Sequence, residues 1–358
     1  MSTIEEISAT RLTTPLHTPF ATSLRRTTTT DTVVVRVTDS DGVTGWGEAP
    51  QVWQVTGESL ASAEACVLGP LTAAVVGRDP EDLVDVTRAV GSAVAANFGA
   101  KAALDVALHD LVARRRGVTL VALLGGTRLR VPTDVTLAAG EATDLAEAAR
   151  ARAGEEFTVL KVKVGTDAAT DVERVRAVRS AVGAAVRIRL DANQGWSARE
   201  AVRVVSALED AQLDVELVEQ PVPAADLEGL AWVTERVSTP VMADESVYGV
   251  RELVEVVRRR AADLVNVKLA KCGGLQPART LLELARAQGM GSIVGSMMET
   301  HIGVGAAASL VAAVGTSAVS DLDAAWWAER SPVVGGMSYD GATVVLPDAA
   351  GLGIEGLA

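Results

Sequence analysis

Five lysines stand out against 33 basic residues, because the other 28 are arginine. Lys161 and Lys163 share the segment VLKVKVG, Lys268 and Lys271 share NVKLAKCGG, and Lys101 stands alone. Arginine stays protonated in a protein, whereas lysine can release its proton when its surroundings lower the pKa. A chain that otherwise uses Arg for positive charge therefore marks these lysines for proton chemistry; the bland alternative is chance clustering on a solvated strand edge. Three acids, Asp191, Glu219 and Asp244, close three successive apolar runs, at spacings of 28 and 25 residues. Three converging carboxylates would repel one another. A hard divalent cation resolves that repulsion, and all-oxygen ligation suits Mg²⁺. The alternative is three separate helix caps or surface ion pairs. Two further acids, Asp321 and Asp323, lie at i and i+2 in Ser320-Asp-Leu-Asp323, on one face of a strand.

The elements that must position these residues follow a rhythm. Short β-rich runs begin near Val131, Thr158, Arg187, Val215, Val241, Leu264, Met290 and Ala318, with Ala/Glu/Arg/Leu segments of helical spacing between them. Strand then helix, eight times, is the pattern of a βα barrel. A doubly wound open sheet gives the same alternation, but no Gly-rich phosphate loop follows a strand here. The first 130 residues differ. TVVVRVTDSDGVTGWGEAP reads as two strands around a turn at Asp41-Gly42, followed by helical segments such as GAKAALDVALHDLVARRRG, which makes an α+β unit. From about Ala325 the βα rhythm is lost, and strands and loops are expected to fold back on the first unit.

In such a barrel the site lies at the C-terminal strand ends and alternate residues point inward. Lys161 and Lys163 face one way on the second strand, Lys268 lies on the sixth, across the barrel, and the acids fill the arc between. A substrate held there has an amine on each side, the geometry for removing a proton from one face of a carbon and returning one to the other. A proton α to a carboxylate is weakly acidic, and Mg²⁺ coordination stabilises the enediolate. A lysine serves as the base if its pKa is lowered, for Lys161 and Lys163 by mutual repulsion and by the metal. Lys161 alternatively stays charged and holds the substrate carboxylate. Lys271, three residues after Lys268, is read as structural, no metal is assigned to His17 or His301, and His109 is read as a core or interface residue.

Composition limits the partners. The 358-residue chain is 48% hydrophobic, so it folds, and its net charge of −13 argues against nucleic acid or an anionic membrane. Two cysteines are too few for a disulfide framework and fit a reducing cytoplasm. The first ten residues carry no signal-peptide pattern. The uncharged stretch from His301 to Ser320 is read as a buried helix and a strand rather than a membrane span.

Lys161-Val-Lys163, Asp191-Ala-Asn-Gln-Gly-Trp196, Glu219-Gln-Pro221, Ala243-Asp-Glu-Ser246, Asn266-Val-Lys268 and Gly45-Trp-Gly-Glu-Ala-Pro50 resemble the enolase superfamily, within it the muconate-lactonising-enzyme subgroup. The resemblance implies an α/β protein: a (β/α)7β TIM-like barrel (residues 126–324) under an N-terminal α+β capping domain (1–125), with a C-terminal segment (325–358) returning to the cap. It implies Mg²⁺ on Asp191, Glu219 and Asp244, with Lys163 and Lys268 as the two acid/base groups. The subgroup includes cycloisomerases, o-succinylbenzoate synthases, N-acylamino acid racemases and dipeptide epimerases. Asp321 and Asp323, across the mouth from the metal, suit a cation at the far end of the substrate. The free ammonium of a dipeptide is such a cation, and an N-acylated amino acid has none; the alternative is that one Asp caps a loop. The pair and Met297-Met298-Glu-Thr300 resemble the dipeptide epimerases. By the same resemblance Thr136, Met298 and Arg25 contact substrate, Arg25 through the side-chain carboxylate of an acidic second residue. The expectation is therefore a cytoplasmic, homo-oligomeric, Mg²⁺-dependent dipeptide epimerase acting on a small molecule such as L-Ala-L-Glu, with no nucleic-acid or membrane partner. An N-acylamino acid racemase or o-succinylbenzoate synthase, and an inactive metal-binding scaffold, are the rival readings.

Overall fold

The computed structural model of the protein describes residues 2–23 and 25–358. Three antiparallel strands open the chain, β1 (Ile4–Ala21), β2 (Arg26–Asp39) and β3 (Thr44–Pro50), in the order β1-β2-β3. The turn at Asp41-Gly42 is fixed by Asp39, whose Oδ1 accepts from Asp41 N and Val43 N. Helices α1 (Leu60–Cys66), α2 (Thr72–Val75), α3 (Leu83–Ala93) and α4 (Phe98–Arg115) follow. The sheet lies directly on α4, which is buried along nearly its whole length. Small residues permit this: a Cβ on Gly47 would stand 2.0 Å from Ala103 O. Val33, Val35 and Val37 of β2 point into this layer, and alternation along the strand keeps Arg36 in solvent.

The short helix α5 (Leu120–Leu123) leads into the second unit through β4 (Arg130–Pro132) and β5 (Val135–Leu137). Six further strands alternate with helices: α6 (Ala142–Gly154), β6 (Val159–Lys163), α7 (Ala168–Val182), β7 (Arg187–Asp191), α8 (Ala198–Asp210), β8 (Val215–Glu219), α9 (Leu227–Thr234), β9 (Val241–Ala243), α10 (Val250–Arg259), β10 (Leu264–Lys268), α11 (Leu269–Cys272), α12 (Leu275–Ala287), β11 (Gly291–Gly295) and α13 (His301–Val314). Strands β5 to β11 form one parallel sheet in chain order. The helices present apolar stripes to it; in α8 these are Ala201, Val204, Val205 and Leu208, and Ser197 with Glu200 closes a capping box at its start.

Two details differ from the sequence reading. The run beginning at Val131 is not one strand. Its first part, β4, turns away to pair with β14 (Thr343–Val345), and only β5 joins the barrel. The run near Ala318 is not a full eighth strand either. It closes the ring through two bridges, Gly295–Asp321 and Thr133–Ser320. Hydroxyl groups stand in for the missing ladder: Ser317 Oγ accepts from Ser292 N, Ser320 Oγ from Val294 N, and Thr133 Oγ1 from Leu322 N. After Asp323 a short 3₁₀ turn (Ala324–Trp327) leads to β12 (Val333–Gly335), the hairpin of β13 (Ser338–Asp340) with β14, and β15 (Ile354–Leu357), which pairs with β12. This segment meets the first unit where Glu329 N donates to Pro15 O and Leu352 N to Asp110 Oδ1.

The stretch from His301 is a buried helix, and among the described residues no helix is long and apolar enough to cross a membrane. Cys66 and Cys272 are both buried and unpaired. Inside the barrel, Leu217, Met242 and Ile293 pack together, with Leu264 and Ala318 against them. Beside them Arg189 is 1% exposed and pairs with Asp134 (3.2 Å) and Glu216 (2.6 Å). These layers close the barrel from below, so the polar groups above them face only the cap.

Candidate active site

Strand register assembles the site. Lys163 of β6 pairs across to Asp191 of β7, and Asp191 to Glu219 of β8, so the three stand at one level on adjacent strands. Glu219 pairs with Met242 of β9, and Asp244, two residues on, points the same way. The loops leaving β7 and β8 turn at once: Asn193, Gln194 and Gln220 have φ of 42°, 69° and 35°. Left-handed residues other than Gly persist where surroundings hold them, often at functional sites. Gln220 is held on both ends of its amide. Its Oε1 accepts from Asp244 N (2.9 Å) and Ser246 N (3.1 Å), and its Nε2 donates to Val222 O and Ser246 Oγ. It therefore fixes the position of Asp244 relative to Glu219.

The acids and lysines interlock. Lys163 Nζ lies 2.6 Å from Asp191 Oδ2, and Lys268 Nζ 2.7 Å from Asp244 Oδ2. Lys161 Nζ reaches Asp191 (3.0 Å), Glu219 (2.7 Å) and Asp321 (2.7 Å). Lys271 Nζ is 2.6 Å from Asp244 Oδ1 and donates to Asn266 O, while Asn266 Nδ2 donates to Glu219 Oε1 (2.8 Å). In this arrangement carboxylates outweigh burial at Lys161 and Lys268. Burial opposes the charge of Lys161, but Asp191, Asp321 and Glu219 outweigh it and hold the ammonium well above its usual range. Burial likewise opposes the charge of Lys268, and Asp244 overrides it.

Whether a metal fits can be judged from the donors present. Among the described residues no three carboxylates already surround one point; ammonium groups stand between them. The acids nevertheless exceed the cations. Burial and then Asp191 push Glu219 up to about 7, and burial and then Asp244 push Glu245 up to about 8. Three buried oxygens near them, Asn193 Oδ1, Glu245 Oε2 and Asn266 Oδ1, have no hydrogen-bond donor. Surplus acceptors and excess negative charge on an all-oxygen set are the chemistry of a hard divalent cation site. Asp191, Glu219 and Asp244 fit that role.

Above this layer lies a narrow cleft between barrel and cap. The barrel contributes Thr136, Lys163, Asn193, Glu245, Lys268, Ser296, Met297, Met298, Asp321 and Asp323, and the cap contributes Phe20, Thr22, Arg25, Val52, Gln54 and Val55. Lys163 and Lys268 thus enter one cleft from β6 and β10, four strands apart. Asp321 and Asp323 are both there, and each has one oxygen in use: Asp321 Oδ2 on Lys161, Asp323 Oδ2 on Thr136 N (2.7 Å) and Trp327 Nε1 (3.1 Å). The Thr136 contact with the cleft is accompanied by this backbone bond to Asp323. Met298 is buried against the cleft. The Arg25 guanidinium is half-buried, and among the described residues no carboxylate pairs with it; burial pulls its pKa down.

The expected residues Lys161, Lys163, Asp191, Glu219, Asp244, Lys268, Thr136, Met298, Asp321, Asp323 and Arg25 are brought together. His301 lies outside the cleft against the ring of Tyr339, and burial lowers its pKa to about 4. Lys271, read as structural from the sequence, has its ammonium on Asp244. Its rarity as a lysine was the available signal, but its offset from Lys268 placed it off the strand. Asn193, Glu245 and Asn266 lay unremarked inside quoted motifs.

The description "Mandelate racemase / muconate lactonizing enzyme, N-terminal domain" matches residues 4–125, and "Enolase C-terminal domain-like" matches residues 128–356. The chain is 41% identical to an L-Ala-D/L-Glu epimerase of Bacillus subtilis over 99% of its own length and 97% of the relative's. The solved substrate-liganded complex of that epimerase superposes with a TM-score of 0.97 over 99% of both chains. A dipeptide epimerase from Enterococcus faecalis V583, solved with Mg and the dipeptide L-Leu-L-Tyr, is 36% identical with a TM-score of 0.94 over 98% of this chain and 99% of that one. With both of its halves matched and its full length shared, the chain belongs to the mandelate racemase/muconate lactonizing enzyme family of the enolase superfamily.

Proposed function

We propose that this chain is a Mg²⁺-dependent dipeptide epimerase that inverts the α-carbon of the second residue, with preference for an acidic residue there, as in L-Ala-L-Glu. The observation that carries the reading is the joint lining of one cleft by Lys163 and Lys268 from opposite strands, with a carboxylate pair at one side and an unpaired guanidinium in the cap.

Mg²⁺ held by Asp191, Glu219 and Asp244 would supply charge to stabilise a carboxylate-derived enediolate. Asp191 and Asp244, as ligands, would no longer hold the protons of Lys163 and Lys268 as they do here. Lys163 and Lys268 then exchange roles: one accepts the α-proton from its side, the other delivers a proton from the opposite side. Lys161, below them, keeps its charge and faces the substrate carboxylate. Asp321 and Asp323 accept from the dipeptide ammonium through their remaining oxygens, and Arg25 pairs with the side-chain carboxylate of the second residue. Phe20 at the end of β1 and the cap loop carrying Val52 and Val55 exclude water. Two buried free cysteines support a reducing cytoplasm, and the family resemblance supports a homo-oligomer.

The test is proton NMR in D₂O with Mg²⁺ and a panel of L,L-dipeptides, following the α-proton of each second residue. Loss of that signal with appearance of the L,D diastereomer, fastest for Ala-Glu, is expected, and EDTA should abolish it. Exchange on N-succinylamino acids but on no dipeptide would refute the reading.

A further inference from the structure

The C-terminal segment contributes more to the site than a return to the cap. Aromatic residues are scarce, 3% of the chain, yet Phe20, Phe157, Trp326 and Trp327 gather in one cluster with His17. Trp327 lies at its centre. Its ring stacks on His17 (5.5 Å, 14° between planes), meets Phe20 edge-on (5.1 Å) and meets Trp326 edge-on (5.4 Å). His17 and Phe20 belong to the end of β1, just before the loop that carries Arg25. The other edge of the indole faces the site: its Nε1 donates to Asp323 Oδ2 at 3.1 Å. Tyr339, from the hairpin of β13, holds the neighbouring backbone. Its hydroxyl donates to Leu322 O at 2.6 Å, between the two carboxylates. The Asp321-Leu-Asp323 segment lacks a full strand ladder, being tied to the barrel by two bridges and side-chain hydroxyls, and these two aromatic side chains add to that support.

We propose that Trp327 and Tyr339 are positioning residues that fix the Asp321–Asp323 pair, so that the C-terminal segment sets the enzyme's preference for a substrate with a free ammonium. The inference rests on the proposed reading that this pair accepts the dipeptide ammonium. Without the indole N–H, Asp323 keeps only the Thr136 N–H on Oδ2 and is free to rotate away from the cleft. Without the Tyr339 hydroxyl, the carbonyl between the acids is released. Neither residue lines the cleft, so the chemistry at Lys163 and Lys268 is left in place.

The experiment compares Trp327→Phe and Tyr339→Phe in the full-length enzyme with Mg²⁺. Two ligands are used: L-Ala-L-Glu, or whichever L,L-dipeptide turns over fastest, and its N-acetyl derivative, which lacks the ammonium. Trp327→Phe should raise KM for the free dipeptide by about 10- to 100-fold, the range for a lost hydrogen bond to a charged group, and Tyr339→Phe, whose bond is to a neutral carbonyl, by about 3- to 10-fold. The kcat should stay within about threefold, as should KM, or Ki where turnover is slow, for the N-acetyl derivative. Equal weakening of both ligands, or no change in either, would overturn the inference by assigning the two side chains a general structural role or none. If Trp327→Phe does not fold, Tyr339→Phe removes a single oxygen and decides the matter. Asp323→Asn in the same series separates the two levels. If it leaves the free dipeptide unaffected, the ammonium reading itself fails; if it impairs that ligand while both aromatic variants do not, only the positioning role fails.

Discussion

Replacing Lys268 with arginine tests the two-sided proton transfer most sharply. Arg keeps the positive charge that Asp244 Oδ2 accepts at 2.7 Å, so the buried pair survives and the fold loses little. Arg cannot serve as a base at neutral pH. Removing one positioned acid/base group costs about 10²- to 10⁴-fold in rate, or about 3 to 5 kcal/mol at ~1.4 kcal/mol per tenfold. Lys163 remains in the cleft on β6, four strands away, with its own partner Asp191. The assay is α-proton exchange in D₂O, followed separately for the L,L and L,D diastereomers. Epimerisation should fall by at least ~10²-fold. The diastereomer that presents its proton to Lys163 should still exchange with solvent and return to itself, whereas its counterpart should not exchange. Lys163→Arg should give the mirror result. Equal exchange of both diastereomers in either variant, or interconversion near the wild-type rate, would refute the assignment of one lysine to each face.

Three further outcomes follow from the geometry. Arg25→Leu removes the unpaired guanidinium from the cap, and kcat/KM for Ala-Glu should fall about 10- to 100-fold relative to Ala-Leu; an unchanged ratio in competition assays would dismiss Arg25 as the specificity group. Gly295→Ala places a methyl 2.6 Å from Asn266 Oδ1 and 3.0 Å from Lys268 Cε. Thermal melts should show a loss of about 1–3 kcal/mol, with kcat lowered by displacement of the lysine. Glu299 is pushed up to about 8 by burial and by Glu48 beside it, so the folded state binds its proton more tightly than the unfolded chain does. Wild type should therefore lose stability relative to Glu299→Gln as pH rises from about 4.5 through about 8, and the difference should level off above that; melting curves across the range that run parallel would refute it.

The barrel was legible in the sequence because its period is long and its strands are buried on both faces. Lys163, Asp191 and Glu219 were legible because adjacent parallel strands carry register across the sheet. Parity alone told less where strands are short. It could not show that the run at Val131 divides at Pro132 or that the last strand shrinks to Ser320 and Asp321, since side-chain hydroxyls take over bonds that a ladder would make. The charge balance around Lys161 was not legible for the same reason. Spacing puts Lys161 beside Lys163, but only the folded ring puts Asp321 and Glu219 within 2.7 Å of its ammonium. The cap wall of the cleft, with Phe20, Val52, Gln54 and Val55, depends on how two units dock, which no local pattern records.

The barrel's closure at Ser320 and Asp321 has an evolutionary corollary. Lys163, Asp191, Glu219 and Lys268 sit in continuous ladders, where a change propagates to both neighbouring strands. Asp321 and Asp323, which we assign to the distal end of the substrate, sit on a seam where two bridges and side-chain hydroxyls replace a full ladder. Mutation can rewrite that seam without unravelling the ring. Descendants of one ancestral catalyst are thus free to diversify in what they accept while inheriting how they react.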